Sequence, residues 1–244
     1  MPRRFWDSTV RHTGVQLAMH NADDAAAWTK QGIVGRGILV DFVAWSETHN
    51  KTYELMSDYS IPLEDLKAAI REQNVTIKHG DILLIRSGFQ KGYQALNEQE
   101  KLDWSVAAPT KWVGIETSVQ VARWIWESGF SAVAGDAPGF ESVPLYSERG
   151  DPGGLEDLYL HEVLLGGWGM PIGKSSELSN PLLRPVRMIF IDERKLIMLV
   201  GEMFDLEALS QECQRQGRYS FFLTSMPLNV PGAVGSPPNV VAIL

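Results

Sequence analysis

The sequence predicts an α/β fold built around a mixed sheet, and three observations carry that expectation. Short apolar runs bounded by glycine alternate with amphipathic stretches of helical spacing. No tandem repeat or low-complexity tract interrupts that alternation. A chain of 244 residues that is 44% hydrophobic can bury one sizeable core, so a single domain spanning 1–244 is the expected organisation.

The elements follow in order. GILVDFVAW, from Gly37, and DILLIRS, from Asp81, are branched apolar runs suited to buried strands. Between them IPLEDLKAAIREQNV predicts a helix: Pro62 suits a first turn that needs no N–H donor, and Leu63, Leu66 and Ile70 fall on one face. A second helix has Thr117 or Ser118 as its N-cap, Ala122, Ile125 and Trp126 as its inward stripe, and Gly129 as its terminator. FSAVAGD is the next strand, followed by the loop APGFESVPLYSERGDPGG and a helix containing His161. The C-terminal part offers one more helix, FDLEALSQECQRQG, and two strands, RYSFFLTS and NVVAIL.

Residues 174–201 fit this plan poorly. RMIFI and LIMLV flank the polar turn DERK like a β-hairpin set into a connection that is normally much shorter.

Charge and cysteine usage narrow the function. A formal net charge of −8 without a Lys/Arg cluster argues against nucleic acid, whose binding rests on counterion release by basic groups. The lone Cys213 permits no intramolecular disulfide and no cysteine-based zinc ribbon, and it reads as a packing residue. MPRR is not followed by an apolar leader, and no run of about twenty apolar residues spans a bilayer. The expected protein is soluble and cytoplasmic, with a small-molecule substrate and no nucleic-acid or membrane partner.

GxxxxGK[ST], strand-linked GxGxxG and GxSxG are all absent, and GGWGMPIGKS has the wrong spacing for a phosphate loop. His49 and His79 sit in polar turns and read as exposed. His161 lies among Leu158, Leu160, Val163 and Leu164, so it either packs against a hydrogen-bond partner or points into a cleft. Asp136 ends a strand, where ligands gather in open α/β sheets, and Glu141 follows in a turn stiffened by Pro138. An Asp, a Glu and a His converging from three elements point to an oxygen- and nitrogen-ligated metal or to an acid/base site.

Six blocks then acquire a common meaning: GIVGRGILVDF, GDILLIRSGF, AVAGDAPGFE, LHEVLLGGWGMPIG, GEMFDLEAL and FFLTSMPLNVPGAVGSPPNVVAIL. In this order they resemble the cyclase family that includes the metal-dependent kynurenine formamidases of tryptophan catabolism, and its fungal branch in particular. The likeness runs from about Gly32 to Leu244, residues 174–201 excepted. It implies a swivelling β/β/α fold, a homo-oligomer, a divalent metal (zinc, or manganese), and hydrolysis of an amide-like C–N bond.

The family's metal motif pairs an N-terminal His/Asp element with a later His and a Glu about twelve residues beyond. His161 matches the later His. Lys174 stands where relatives carry the Glu, and Glu202, in GEMFDLEAL, is the matching residue displaced by the interruption. FWDSTVRHTG is the remnant of a WDxxxH-like element, one residue too long, which makes Asp7 a metal ligand and His12 the acid/base; the upstream histidines are missing and His20 is assigned no metal. The resemblance thus implies metal ligands Asp7, His161 and Glu202 meeting at one point with His12 beside them, and Asp136 and Glu141 on the substrate side. The incomplete N-terminal motif keeps two alternatives open: a catalytically impaired binding or scaffold protein, and a cyclase or lactone hydrolase of secondary metabolism.

Excising residues 174–201 joins GMPIG to EMFDLEAL with nothing left over. Gly173-Lys174-Ser175 can be encoded by GGTAAGTCN, with a donor-like GTAAGT, and Val200-Gly201 by GTAGGN, with an acceptor-like TAG in the same phase. A translated intron and a surface hairpin insertion both fit.

Overall fold

The computed structural model describes residues 32–107, 110–144, 160–168, 172–173, 203–226 and 239–244. A six-stranded mixed sheet forms the frame, in the order β6-β5-β3-β1-β7-β8. Its strands are β1 (Ile33–Asp41), β3 (Ile82–Arg86), β5 (Ala132–Gly135), β6 (Ile172–Gly173), β7 (Ser220–Met226) and β8 (Asn239–Ile243). β1, β3, β5 and β6 run parallel, while β7 is antiparallel to both β1 and β8. A small parallel pair, β2 (Ser60–Ile61) with β4 (Gly114–Ile115), stands apart from this sheet.

Period-two alternation along the central strands divides the core into two layers. Ile38, Val40, Leu83, Ile85 and Val133 face α2 (Leu63–Glu72) and α5 (Val119–Ser128). Leu39, Ile82, Leu84, Ala132 and Ala134 face the other way, onto Phe204, Leu206 and Cys213 of the C-terminal segment, which carries α6 (Glu207–Gln216). Strands apolar on both faces are what a parallel sheet covered on both sides requires.

Ser118 caps α5, its hydroxyl accepting from Val121 N at 3.2 Å, and Gly129 closes the helix at φ 75°. The inward stripe of α5 is Val121, Ala122 and Ile125; Trp126 is instead 38% exposed, its ring against Trp168. Pro62 stands one residue before α2 rather than inside its first turn. The run GILVDFVAW is not one strand: β1 ends at Asp41 and α1 (Phe42–Thr48) begins at once. Asp41 makes the break by accepting from Ala44 N, and because Phe42, Val43 and Trp45 are all buried, no polar face betrays the helix. Two further helices, α3 (Phe89–Ala95) and α4 (Glu98–Val106), lie between β3 and β4. Residues 174–201 lie outside the described residues. Among the described residues no helix is long and apolar enough to cross a membrane.

Candidate active site

The parallel strands bring three charged residues to one end of the sheet: Asp41 closes β1, Arg86 closes β3, and Asp136 follows β5. That end is where open α/β sheets assemble their ligand sites.

Asp136 is fully buried and serves the turn beside it. Its Oδ1 accepts from Ser87 N at 2.7 Å and from Ser87 Oγ at 2.6 Å, and its Oδ2 accepts from Gly88 N at 2.7 Å. Burial pushes its carboxyl up to about 6, against these three donors and the Arg86 charge. Tyr53 completes the turn by donating to Ser87 O at 2.6 Å; burial first, then the Asp136 charge, raises its phenol well above the ordinary value. A cavity of about 10 Å³, room for about one water, separates this turn from β4 and Gly139.

Glu141 and His161 form the second arrangement. The Glu141 carboxylate is 2% exposed; Oε2 contacts His161 Nδ1 at 2.5 Å, and Oε1 accepts from His161 N at 3.1 Å. One carboxylate therefore fixes both the ring and the backbone of the histidine. Burial alone would raise Glu141, but the His161 charge and hydrogen bonds outweigh it and hold the carboxyl below its ordinary value. His161 keeps 18% of its side chain exposed. A π-helical segment, Glu162–Gly167, begins at the next residue, a local widening that recurs at functional sites.

The chain re-enters this region at Met203. Met203 N donates to Ala137 O and Phe204 N to Gly135 O, each at 2.9 Å, while Gln90 Nε2 donates to Met203 O at 3.2 Å. Met203 is left-handed, at φ 59°, a conformation an unbranched L residue holds only where its surroundings over-determine it.

A third cluster contains no histidine. Arg86 donates from Nη1 to Asp41 Oδ1 at 2.8 Å and forks onto Glu207 through Nε at 2.9 Å and Nη2 at 2.7 Å. Asp41 Oδ2 also accepts from Ser210 Oγ and Gln214 Nε2. This network ties α6 to β1 and β3. Arg86 closing the apolar run DILLIR was its only sign in the sequence, since a buried arginine demands acidic partners.

Of the six residues expected at the site, Glu141 and His161 are brought into contact, and Asp136 bonds the Ser87–Gly88 turn. Asp7, His12 and Glu202 lie outside the described residues, as does His20. Among the described residues no three His, Cys, Asp or Glu side chains stand together as a metal cage. Of the other histidines, His79 is exposed, and His49 stacks on Trp45 and pairs with Glu72 at 3.1 Å.

Fold and geometry together define an α/β protein with a buried carboxylate–imidazole pair at the carboxyl end of a mostly parallel sheet. The sequence profile of the Cyclase family matches residues 8–142. The chain belongs to that family. Among solved structures it is similar to a novel cyclase, at 30% identity and a TM-score of 0.63, over 88% of this chain and 55% of that one. It also aligns with isatin hydrolase A from Labrenzia aggregata, at 14% identity and a TM-score of 0.46, over 91% of this chain and 65% of that one. Isatin hydrolase A from Ralstonia solanacearum aligns at 14% identity and a TM-score of 0.43, over 86% of this chain and 59% of that one. The chain thus spans between about half and two-thirds of the length of these structures. None of the curated proteins matches it.

Proposed function

We propose that the chain is a metal-dependent hydrolase of the kynurenine-formamidase type, of the family's fungal branch, which cleaves an amide or formamide C–N bond in a small molecule. The observation that carries this reading is the Glu141–His161 pair. A carboxylate on Nδ1 at 2.5 Å fixes the imidazole's tautomer and makes Nε2 its basic nitrogen, the one suited to a metal bond or a proton transfer. Metal-ligating histidines are characteristically oriented in this way by a carboxylate on their other nitrogen, so this donor fits the group the family implies.

His161 would hold the metal together with Asp7 and Glu202, and zinc or manganese suits such an imidazole and carboxylate set. Bound there, the dication supplies Lewis acidity, which activates water near neutral pH and polarises the substrate carbonyl. The protein's own groups do the rest. Glu141 keeps His161 aligned and balances any positive charge it gains. His12 carries the proton from the attacking water to the departing amine, so that the C–O bond forms, the C–N bond breaks, and the products are an acid and an amine. Asp136 holds the Ser87–Gly88 turn that borders the substrate.

Metal titration and hydrolysis test this together. The purified chain should bind near-stoichiometric zinc or manganese and hydrolyse an N-formyl arylamine, and His161→Ala should abolish both. A folded protein that binds neither ion and leaves formamides intact would instead be a binding or scaffold member of the family. Turnover of a lactone but not of formamides would move the assignment to lactone chemistry.

A further inference from the structure

Glu141 lies in an irregular loop, yet its carboxylate must be held to within a few tenths of an ångström to keep a 2.5 Å contact with His161. The loop is laced to the neighbouring segment by backbone bonds in both directions. Trp112 N donates to Val143 O at 3.0 Å and Val143 N to Trp112 O at 3.1 Å; Ile115 N donates to Phe140 O and Ser142 N to Ile115 O, both at 3.1 Å. The closest approach is at Gly114, where an added Cβ would stand 2.3 Å from the carbonyl carbon of Glu141.

One side chain joins this lacing. Trp112 Nε1 donates to Glu141 O at 2.9 Å. Its indole lies flat against Gly139, where a Cβ would meet Nε1 at 2.6 Å and Cε2 at 2.9 Å. Gly139 is thus the gap through which the indole reaches Glu141.

We infer that Trp112 is a positioning residue for the proposed reaction: its indole N–H, admitted by the absence of a side chain at position 139, sets the Glu141 backbone and through it the orientation of the His161 ring. It need not touch substrate or metal. The inference rests on the function proposed for His161, but the geometry of the pair can be read without any metal.

The experiment uses the full chain with histidine-selective 15N labelling at a pH where the imidazole is neutral. Wild type should show His161 protonated on Nδ1. Trp112→Phe removes the donor and keeps most of the ring; Gly139→Ala attacks the same bond from the other side by displacing the indole. Each should turn the single tautomer into a mixture and weaken zinc binding, measured by chelator competition, by about 10-fold. Because both substitutions act on the same hydrogen bond, the double variant should lose less than the sum of the two single losses. His161 nitrogen shifts equal to wild type in both single variants overturn the inference, and so does additivity in the double variant. Failure of the functional reading looks different: wild-type protein itself binds no zinc, while the tautomer measurement still decides the role of Trp112.

Discussion

Two clusters of buried charge at the same end of the sheet have different characters. Around Arg86 every charge is matched: the guanidinium is 7% and Asp41 0% exposed, Asp41 accepts from Arg86, Ala44, Ser210 and Gln214, and Glu207, 23% exposed, is held by the guanidinium's fork. At His161 one partner, Glu141, is just as buried, but the imidazole reaches the surface. A network whose every charge is matched can specify how α6 docks on β1 and β3, and its more exposed member, Glu207, is spent on the Arg86 guanidinium. In the other pair the more exposed member is an imidazole, a side chain of the kind that can exchange a proton or ligate a metal. The contrast teaches that neither buried charge nor uneven exposure within a pair marks a site; the chemistry of the exposed member separates the two.

The harshest way to break the comparison is to unbalance the Arg86 cluster. Arg86→Met would strand Asp41 and Glu207, and losing one partner of a buried ion pair costs about 3–5 kcal/mol. At about 2–4 °C per kcal/mol for a chain of this size, Tm should fall by roughly 10 °C or more. A shift of only a degree or two in a calorimetric scan would show that the network contributes little.

Next in size is the pH response of Asp136 and Glu141, whose shifts have opposite signs. Asp136 is raised from 3.8 to about 6, so the fold favours its protonated form. Its stabilising contribution is complete below about pH 3.8 and is lost as pH rises through about 6, at about 1.4 kcal/mol per unit at most. Glu141 is lowered from 4.5, so its contribution is present above that value and is lost as pH falls through its folded value. Asp136→Asn should therefore remove a downward slope between about pH 4 and 6 in urea-unfolding stability. Parallel curves for variant and wild type would refute the raised carboxyl.

A smaller effect is expected from deleting residues 174–201. Gly173 pairs with Ala134, and Met203 N bonds to Ala137 O, so the two flanks of the segment hang from β5 and the residues just beyond it. Loop-closure entropy changes by only about 0.6 kcal/mol per doubling of length, so cutting the connection to Glu202 alone, about five halvings, should leave the chain folded with stability altered by about 3 kcal/mol or less. Loss of the cooperative transition would mean that the segment is part of the fold and not an interruption of it. Transcripts across the junction then separate a retained intron from a hairpin insertion.

The mildest test probes the Arg86 side. Cys213 is buried, and burial together with the Asp41 charge pushes its thiol up to about 11. At pH 8 a thiol reagent should label it at least about 100-fold more slowly in native than in urea-unfolded protein. Equal rates would show that the α6 layer opens readily.

Much of this protein was decided along the chain itself. Strands Ile82–Arg86 and Ala132–Gly135, the helices Leu63–Glu72, Val119–Ser128 and Glu207–Gln216, the Ser118 cap and the Gly129 terminator all follow from spacing, caps and glycines that act within a few residues. Cys213 as a packing residue and His161 as a histidine in need of a partner were legible for the same reason, since each stands out against its apolar neighbours. The helix Phe42–Thr48 was hidden because burial on all sides erases the polar face that periodicity needs. Only the assembled tertiary structure could join Glu141 to His161 across 20 residues, Arg86 to Glu207 across 121, and the Trp112 indole to the Glu141 carbonyl across 29. Contacts over such separations leave no periodic trace, because they depend on which strand lies beside which, and that order is fixed by packing of the whole sheet.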